Sequence, residues 1–384
     1  VDLLAADVLS IQVLLEDLAH LYDGTDLAPI EIDFMEYARR TGIGERKGES
    51  APHRAFQCTG PERGGRVMKL QKRILTFAAA AMLALSMALP CAAAESAMDT
   101  LCAPSGITSM PDGSFLVTDT YNKVVWRVEG RTSTVYGGVA TVGDLYGQPI
   151  GGYNDSALND SYFKEPWAVA PFLDGYAVSD AANNVVRFIA HDKNKVQTAT
   201  GQRAKGSMNG YGIEATFNRP TGLATDEAGN LYIADTGNNR IRKLTNIGTI
   251  TTYLENLNEP TGLCWKNGSL YICESGANRI LRAENGSVTV VAGSGGEALA
   301  DGSAEQAQFH DPQGVTVADD GIIYVSDTGN NAVRKIQNGV VSTIAVCDQN
   351  AMDPSPVAPV GLMVKGDRLY VCDNFSRAVL TYPR

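Results

Sequence analysis

The stretch PTGLATDEAGNLYIADTGNNRIRKL, residues 220–244, decides the fold of this chain. It contains three short segments in which apolar and polar residues alternate. Alternation at period two is typical of half-buried β-strands. The segments are separated by Glu-Ala-Gly-Asn and Thr-Gly-Asn-Asn, whose Gly and Asn residues tolerate the positive φ angles of tight turns. The stretch therefore predicts three antiparallel strands joined by two turns.

Five further copies of this pattern occur along the chain. They begin at Pro104, Pro166, Pro260, Pro312 and Pro359, so the six start prolines are 62, 54, 40, 52 and 47 residues apart. The copies at Pro104, Pro166, Pro260 and Pro312 carry Asp-Gly or Asn-Gly in the first turn, a strong hairpin signal. A fourth strand is predicted after the third, as at residues 288–292 and 340–346. Four antiparallel strands repeated roughly every 40–60 residues are typical of β-propeller blades.

The motif itself resembles a known repeat family. Residues 220–243 resemble the NHL repeat of β-propellers, and so do the linkers GSMNGYGIEATFNRP, residues 206–220, and GEALADGSAEQAQFHDP, residues 296–312. The resemblance extends over about residues 98–384 in six registered copies. It implies an all-β fold, a six-bladed β-propeller of NHL repeats.

Closure of the ring needs a strand from the other end of the chain. Arg384 follows directly on the third strand of the sixth copy, so that blade lacks its fourth strand. Residues 97–102, AMDTLC, align with STIAVC, residues 342–347. We therefore expect residues 97–102 to complete the last blade, since closure removes sheet edges that would otherwise invite aggregation.

A secretory signal peptide is predicted inside the chain, at residues 68–94. Basic residues follow Met68, an apolar run covers residues 74–89, and Ala92-Ala93-Ala94 forms an A-x-A cleavage site. We expect cleavage after Ala94 and a secreted, extracytoplasmic protein. The run of 16 residues is shorter than the roughly 20 needed for a transmembrane anchor. A lipoprotein anchored at Cys91 is the other alternative, and Pro90 before it fits that poorly.

Residues 1–67 precede this signal and form a separate extension. Residues 1–40 resemble a fragment of a nonribosomal peptide synthetase condensation or heterocyclization domain, with Asp2 and Asp7 at the spacing of its paired aspartates. An amphipathic helix is predicted over residues 8–22, followed by an acidic loop and a short element around Phe34, and residues 41–67 are predicted to be unstructured. We expect translation to begin at Met68 and the extension to be a fusion or start-site artefact. The predicted organisation is therefore extension 1–67, signal peptide 68–94 and propeller 95–384.

The charge of the chain excludes some partners. With 32 basic and 43 acidic residues the net charge is −11. Nucleic acids and anionic membranes bind basic surfaces, so we expect no nucleic-acid partner and no membrane contact beyond the signal segment. We expect a monomer that binds a protein, peptide or glycan.

The second strand of every copy ends in an acid. A ring of six carboxylates suggests a metal site, but an acid before such a turn also caps its backbone N–H groups. We favour the structural role. Arg187, Arg242 and Arg334 on the third strands are expected to form inter-blade pairs or to be solvated. The acids are Asp119, Asp180, Asp235, Glu274, Asp327 and Asp373.

The blade-entry loops and the turns after these acids are predicted to share one face. Long insertions at residues 137–165, 200–219 and 293–311 should lengthen the walls of the channel mouth there. Loops on a rigid scaffold often carry binding residues, so this is the predicted binding face. Its aromatic residues form either a platform for a sugar or peptide, or staples that fix the loops. The candidate ligand-binding residues are Trp167, Tyr153, Tyr162, Tyr211, Gln313 and His310.

The propeller part contains five cysteines. Cys264 and Cys273 lie on neighbouring predicted strands, and Cys102 and Cys347 occupy equivalent repeat positions. An exported protein permits disulfides, but the same residues, with Cys372, also fit as small core residues.

Enzyme activity is not favoured by the sequence. Peptide-amidating lyase domains use a His-rich zinc site in such propellers, and only His191 and His310 are present after residue 94. Gluconolactonase-like propellers use acids and Asn for a divalent ion, which the carboxylate ring imitates. No catalytic residue or metal ligand is predicted, and no cofactor, although a divalent metal stays possible. The favoured function is a non-catalytic binding or scaffolding module. The alternatives are a metal-dependent hydrolase or lyase on the same face, or a sensor domain of a cell-envelope protein.

Overall fold

The computed structural model describes residues 101–130, 132–140, 149–191, 194–346 and 356–384. In this part of the chain, six antiparallel sheets form the six blades of a β-propeller, as predicted. The predicted extension and signal peptide lie outside the described residues. Among the described residues no helix is long and apolar enough to span a membrane.

Each blade runs in chain order from its inner strand, at the axis, to its rim strand, apart from the short strands β9 and β18, which precede the inner strands of blades 3 and 5. Blade 1 consists of β1 (Pro104–Ser109), β2 (Phe115–Asp119), β3 (Val124–Glu129) and β4 (Thr132–Gly137). Blade 2 consists of β5 (Pro166–Phe172), β6 (Gly175–Asp180), β7 (Val185–Ala190) and β8 (Lys195–Thr200). Blade 3 consists of β9 (Gly210–Tyr211), β10 (Pro220–Thr225), β11 (Leu231–Asp235), β12 (Arg240–Leu244) and β13 (Thr249–Leu254).

The second half of the ring repeats this plan. Blade 4 consists of β14 (Pro260–Lys266), β15 (Ser269–Glu274), β16 (Arg279–Glu284) and β17 (Ser287–Ala292). Blade 5 consists of β18 (Gly302–Ser303), β19 (Pro312–Val317), β20 (Ile323–Asp327), β21 (Ala332–Gln337) and β22 (Val340–Val346). Blade 6 consists of β23 (Pro359–Lys365), β24 (Arg368–Asp373) and β25 (Ala378–Pro383). In blades 3 and 5 the short strands β9 and β18 pair with the rim strands β13 and β22.

Short 3-10 turns are the only helical elements in the described residues. Four of them connect the second strand to the third in blades 2 to 5, and two lie in long loops. They are Leu158–Asp160, Ala181–Asn183, Gly212–Glu214, Thr236–Asn238, Ser275–Ala277 and Thr328–Asn330.

The glycine of the Pro-x-Gly motif lets the inner strands pack backbone to backbone. A Cβ atom added to Gly222 would lie 1.9 Å from the carbonyl oxygen of Thr261, and one on Gly314 would lie 1.9 Å from that of Val360. Real Cβ atoms do not approach so closely, so only glycine fits at these two positions, where adjacent blades meet at the axis. Blade 2 has Ala168 at this position.

Hydroxyl groups join neighbouring blades close to this point. Thr236 in blade 3 donates to the carbonyl oxygen of Pro260 in blade 4 at 2.7 Å. Ser275 donates to Pro312 at 2.5 Å and Thr328 to Pro359 at 2.6 Å. The start proline of each of these repeats therefore supplies the acceptor that the preceding blade uses.

The first and last blades are adjacent, so the ring closes. The Phe115 and Tyr370 rings have centroids 4.8 Å apart, and Lys365 donates from Nζ to the carbonyl oxygen of Gly113 at 2.8 Å. Leu101 is buried in the same apolar cluster as Cys372. Residues 101 and 102 form no strand, and residues 97–100 lie outside the described part, so the predicted closing strand stays a prediction.

Candidate functional site

The blade-entry loops and the turns after the second strands lie on one face, here called the entry face. In blade 3, Gly237 of the turn donates its N–H to the carbonyl oxygen of Asn218 in the entry loop at 2.9 Å. Gly329 makes the equivalent bond to His310 in blade 5 at 2.8 Å. The topology predicted for this face is therefore present.

The carboxylate ring is buried within the blades. All six acids are at most 2% exposed, and each accepts hydrogen bonds from its own entry loop or turn. Asp235 accepts from Asn218 N–H and from Asn238 Nδ2, both at 2.8 Å. Asp119 accepts from Cys102 N–H at 2.8 Å and from Trp126 Nε1 at 3.1 Å. The acids thus tie the loop before a blade to the turn inside it, with their oxygens directed away from solvent.

The three arginines differ from the sequence prediction. Arg187, Arg242 and Arg334 are fully buried and pair with the acid of their own blade, so they are neither solvated nor inter-blade pairs. The reason is the position seven residues after the acid, which places the guanidinium inside the same blade. Arg242 lies 3.1 Å from Asp235, and Arg334 lies 2.6 Å from Asp327.

Burial raises the pKa of Asp235 above its ordinary value, and the hydrogen bonds from Asn218, Asn238 and Arg242 oppose this rise. The same burial lowers the pKa of Arg242. Two charges removed from water are favourable only where the remaining donors are satisfied. Here Arg242 also donates to the carbonyl oxygens of Thr216 at 3.0 Å and Met208 at 2.7 Å, both in the entry loop, and among the described residues only its buried Nε has no acceptor.

The long insertions take a different course from the predicted one. Their described residues run along the rim strand of their own blade rather than building walls at the channel mouth. In blade 3, Gly212 N–H donates to Gly248 at 2.9 Å, in the turn before the rim strand. Phe163, Phe217 and Phe309 are buried between neighbouring blades, each below the guanidinium of its blade's arginine at 5.1 Å. Because propeller blades diverge toward the rim, the insertions fill the wedge between them.

The predicted aromatic platform is therefore not assembled. Trp167 is half-buried on the inner strand of blade 2, with Arg219 over its ring at 5.7 Å. Tyr153 lies at the rim of the same blade, where its hydroxyl is 2.6 Å from that of Thr198. Tyr211 pairs with Thr249 on the rim strand of blade 3.

Tyr162 belongs to the same insertion as Tyr153. It is half-buried, and its carbonyl oxygen accepts from Arg187 at 2.8 Å. Tyr153 is itself enclosed between Arg187 and Arg203. These contacts agree with the alternative interpretation, in which the aromatic residues fix the long loops to the blades.

Gln313 and His310 stand on the entry face near blade 5. Gln313 lines the channel and donates to Asp311 at 2.8 Å. His310 donates its N–H to Asp327 at 2.7 Å, and its ring packs on Gly329. Asn218 takes the same position in blade 3, with its side chain on Gly237. His310 therefore packs on the turn of its blade as Asn218 does.

The central channel is narrow. It encloses about 80 Å³ and is lined by the first residues of the inner strands, among them Ser105, Trp167, Gln313 and Val360. A bound water needs about 10–15 Å³ of such volume, so the channel has room for a few waters but not for a sugar ring or a peptide. A larger ligand would have to bind at the mouth.

Two exposed aromatic residues on the entry face were missed by the sequence reasoning. Tyr121 in blade 1 is 44% exposed, and Phe375 in blade 6 is 72% exposed. Both occupy the second position after the acid, where blades 3, 4 and 5 have glycine. Cations follow them at Lys123 and Arg377, the positions that hold Asn in blades 2 to 5. Comparing the six turns position by position would have found them.

Four cysteines lie in the described part, and all are free thiols: Cys102, Cys264, Cys273 and Cys372. Cys273 and Cys372 are fully buried core residues, and burial raises the pKa of both thiols. Cys347 lies outside the described residues. Within the described residues, no group of three or more His, Cys, Asp or Glu side chains is placed to hold a metal ion.

Comparisons with known proteins agree with this architecture. The family model of the NHL repeat matches residues 217–244 and 309–336, which belong to blades 3 and 5. The chain thus carries NHL repeats, as predicted. No curated protein sequence matches it.

Several solved structures are similar. An auxiliary nutrient binding protein from Bacteroides thetaiotaomicron VPI-5482 has a TM-score of 0.56 and 12% identity, over 73% of this chain and 69% of that one. An auxiliary nutrient binding protein from Bacteroides ovatus ATCC 8483 has a TM-score of 0.52 and 14% identity, over 76% and 74%. A streptogramin B lyase has a TM-score of 0.50 and 14% identity, over 74% and 94%. At these identities the similarity shows the propeller fold alone.

Proposed function

We propose that this protein is a secreted, non-catalytic binding module that holds a protein, peptide or glycan on its entry face, at the turns of blades 6 and 1. The observation that carries the proposal is the pair of exposed rings, Phe375 and Tyr121, at equivalent positions of two adjacent blades. A turn of this type is formed with glycine in blades 3 to 5, so the turn does not require these rings.

The chemistry of the two turns supports a ligand with flat or apolar groups and some negative charge. Large exposed aromatic rings bury much area per residue when they bind, at a low cost in side-chain entropy. Arg377, two positions after Phe375, is exposed and offers charge to a carboxylate, and the half-buried Lys123, two positions after Tyr121, adds positive charge while its Nζ donates to the carbonyl oxygen of Thr120 at 2.7 Å. Two cations at equivalent positions of neighbouring turns, on a chain of net charge −11, favour an acidic ligand over a basic one.

The contacts of the carboxylate ring support a structural rather than a catalytic role for it. An oxygen that is closed off from solvent and already accepts hydrogen bonds from its own loop or turn has no access to a substrate. Secretion rests on the signal peptide predicted at residues 68–94. The nutrient-binding proteins named above have a similar fold, and fold by itself does not carry function.

The test is binding of the purified protein to an oligosaccharide array and to a short-peptide array, followed by calorimetry with the best hit. Phe375→Ala and Tyr121→Ala should each weaken binding by about tenfold, the loss expected for one buried aromatic anchor. The matched control is Tyr211→Ala, which removes a 63% exposed ring at the rim of blade 3.

Equal losses for Tyr211→Ala and Phe375→Ala would contradict the proposed location of the site. Absence of any hit on both arrays would contradict the binding function. Retention of about one equivalent of calcium or zinc after dialysis would instead favour the metal-dependent hydrolase or lyase.

A further inference from the structure

The rim of blade 4 differs from the rims of blades 2, 3 and 5. In blades 3 and 5 the entry loop adds the strands β9 and β18 to the rim strand. In blade 2, Val196 on the rim strand donates its N–H to Ser156 of the entry loop at 2.9 Å. Blade 4 has no such added strand among the described residues, so its rim strand β17 ends the sheet.

The cause lies in the entry loop of blade 4. Only residues 255–259 separate the rim strand of blade 3 from the inner strand of blade 4. A loop of this length cannot reach the rim. The position that carries the buried arginine in blades 2, 3 and 5 is Leu281 in blade 4, so the anchor for a long insertion is also missing.

The uncovered strand has no Lys, no Pro and, in the described part of the chain, no covering loop, and its bulge at Val291 lies beyond the exposed residues 287–290. Its sequence is Ser-Val-Thr-Val-Val-Ala, and residues 287–290 are all exposed. Val288 is 42% exposed and Val290 52%. Natural edge strands are usually blocked by Lys, Pro, a bulge or a covering loop. A neutral strand rich in β-branched residues is instead suited to receive another strand.

We propose that β17 is a self-association edge, at which a second copy of this chain adds its own β17 in antiparallel pairing. With the two-fold axis at Thr289, Val288 of one copy lies opposite Val290 of the other, and the two Thr289 residues face each other. Pairs of β-branched residues and Thr–Thr pairs are favourable across antiparallel strands. The strand carries no charge, so pairing brings no like charges directly together. The proposed dimer differs from the monomer expected from the sequence.

Two strands joined only at an edge bury little surface, so the dimer is weak and depends on concentration. Each copy has a net charge of −11, which opposes association at long range. Added salt screens this repulsion and leaves the uncharged edge unaffected. Association should therefore strengthen as salt rises from roughly 0.05 to 0.5 M, the reverse of an interface held by ion pairs.

The test is sedimentation velocity of the full chain over a range of concentrations and at both salt levels. Val290→Lys should weaken dimerisation by at least about tenfold, because it places a charge at two symmetric positions of the pairing. The matched control is Val340→Lys, at a valine of equal exposure, 52%, whose strand is covered by β18. It should leave dimerisation unchanged.

A second test does not require the fold to tolerate a lysine on the rim strand. Thr289→Cys should give a disulfide-linked dimer under mild oxidation, because facing residues at the axis bring their Cβ atoms close, whereas Val340→Cys should not. A chain that sediments as a monomer at all concentrations and both salt levels would overturn the proposal. Equal effects of Val290→Lys and Val340→Lys would overturn it as well.

Discussion

Asn239 Oδ1 accepts a hydrogen bond of 2.9 Å from the N–H of Glu259, and both residues have positive φ, 56° and 47°. Asn239 ends the turn of blade 3, and Glu259 directly precedes the inner strand of blade 4. Asn184 with Arg219, and Asn278 with Asp311, repeat the bond at 2.9 Å and the same backbone conformation. Three successive blade junctions on the entry face thus share one hydrogen bond, from a backbone N–H of the entry loop to the side chain of the Asn that ends the preceding turn.

Removal of the Asn239 side chain should cost one hydrogen bond at the junction of blades 3 and 4. Asn239→Gly keeps the left-handed backbone at no steric cost and deletes only the acceptor, so we expect a loss of about 1 kcal/mol in the free energy of unfolding. Asn239→Asp keeps the acceptor and should remain within about 0.5 kcal/mol of the parent. Urea unfolding measures both. Equal stability of Asn239→Gly and the parent would show that the bond contributes nothing net.

The buried arginine of blade 3 should be among the most sensitive positions. Arg242→Ala leaves Asp235 without its guanidinium and removes donors to Thr216 and Met208, so we expect a loss of about 3–5 kcal/mol. Arg282→Ala is the control, since Arg282 pairs with the half-exposed Glu284 and exposed pairs contribute at most about 1 kcal/mol. Thermal unfolding ranks the two. A similar effect of both variants would contradict the buried role of Arg242.

Asp301 should make stability depend on pH in the acid range. Partial burial by itself raises the pKa of Asp301, but the hydrogen bonds from Thr343 and Arg334 outweigh it and hold that pKa below its ordinary value. A carboxyl with a lowered folded pKa stabilises above its unfolded pKa, about 3.9, and this contribution is lost as the pH falls through the folded value.

Asp301→Asn should therefore be less stable than the parent at pH 7, with a difference that shrinks toward pH 2. Blade 3 carries the amide naturally, since Asn209 accepts from Arg242 at 2.7 Å, so the substitution fits the site. Unfolding free energies measured at several pH values test this. A difference independent of pH would exclude the carboxyl as its source.

The axis glycines should not tolerate a methyl group. Gly222→Ala would force the inner strands of blades 3 and 4 apart, and we expect a loss of about 1–3 kcal/mol, as for other overpacked cores. The reverse change in blade 2, Ala168→Gly, should cost only about 0.5–1 kcal/mol. Chemical denaturation compares them. If Gly222→Ala cost no more than Ala168→Gly, the close packing at the axis would be relieved by a small backbone shift.

Local patterns were enough to predict the fold. Period-two alternation, turn residues that tolerate positive φ, and the acid that ends each second strand all act over a few residues, and they recur in six copies. The residue that ends the turn between the second and third strands has positive φ in all six blades. In four blades it is Asn, as the turn chemistry predicts, and in the other two it is Lys123 and Arg377.

The candidate site was predicted less well, because it depends on where loops go. Sequence placed Trp167 and Tyr211 on one face since both follow or lie in entry loops. In the folded chain Tyr211 pairs with the rim strand of blade 3, whereas Trp167 lines the channel at the axis, so the two rings are far from each other in the radial direction. The three blades that follow a long insertion are also the three that carry Arg187, Arg242 and Arg334. This coincidence was visible in the sequence and indicates that the insertions pack against their own blade.

The amino-acid sequence by itself determined the blade, the number of blades and the position of the turns, because each of these follows from hydrophobic periodicity and backbone preference within one repeat. The tertiary structure alone decided which groups are buried between blades, which rim strand is left uncovered and which rings reach solvent. Those properties depend on how the space between diverging blades is filled, and that space exists only once the ring has closed.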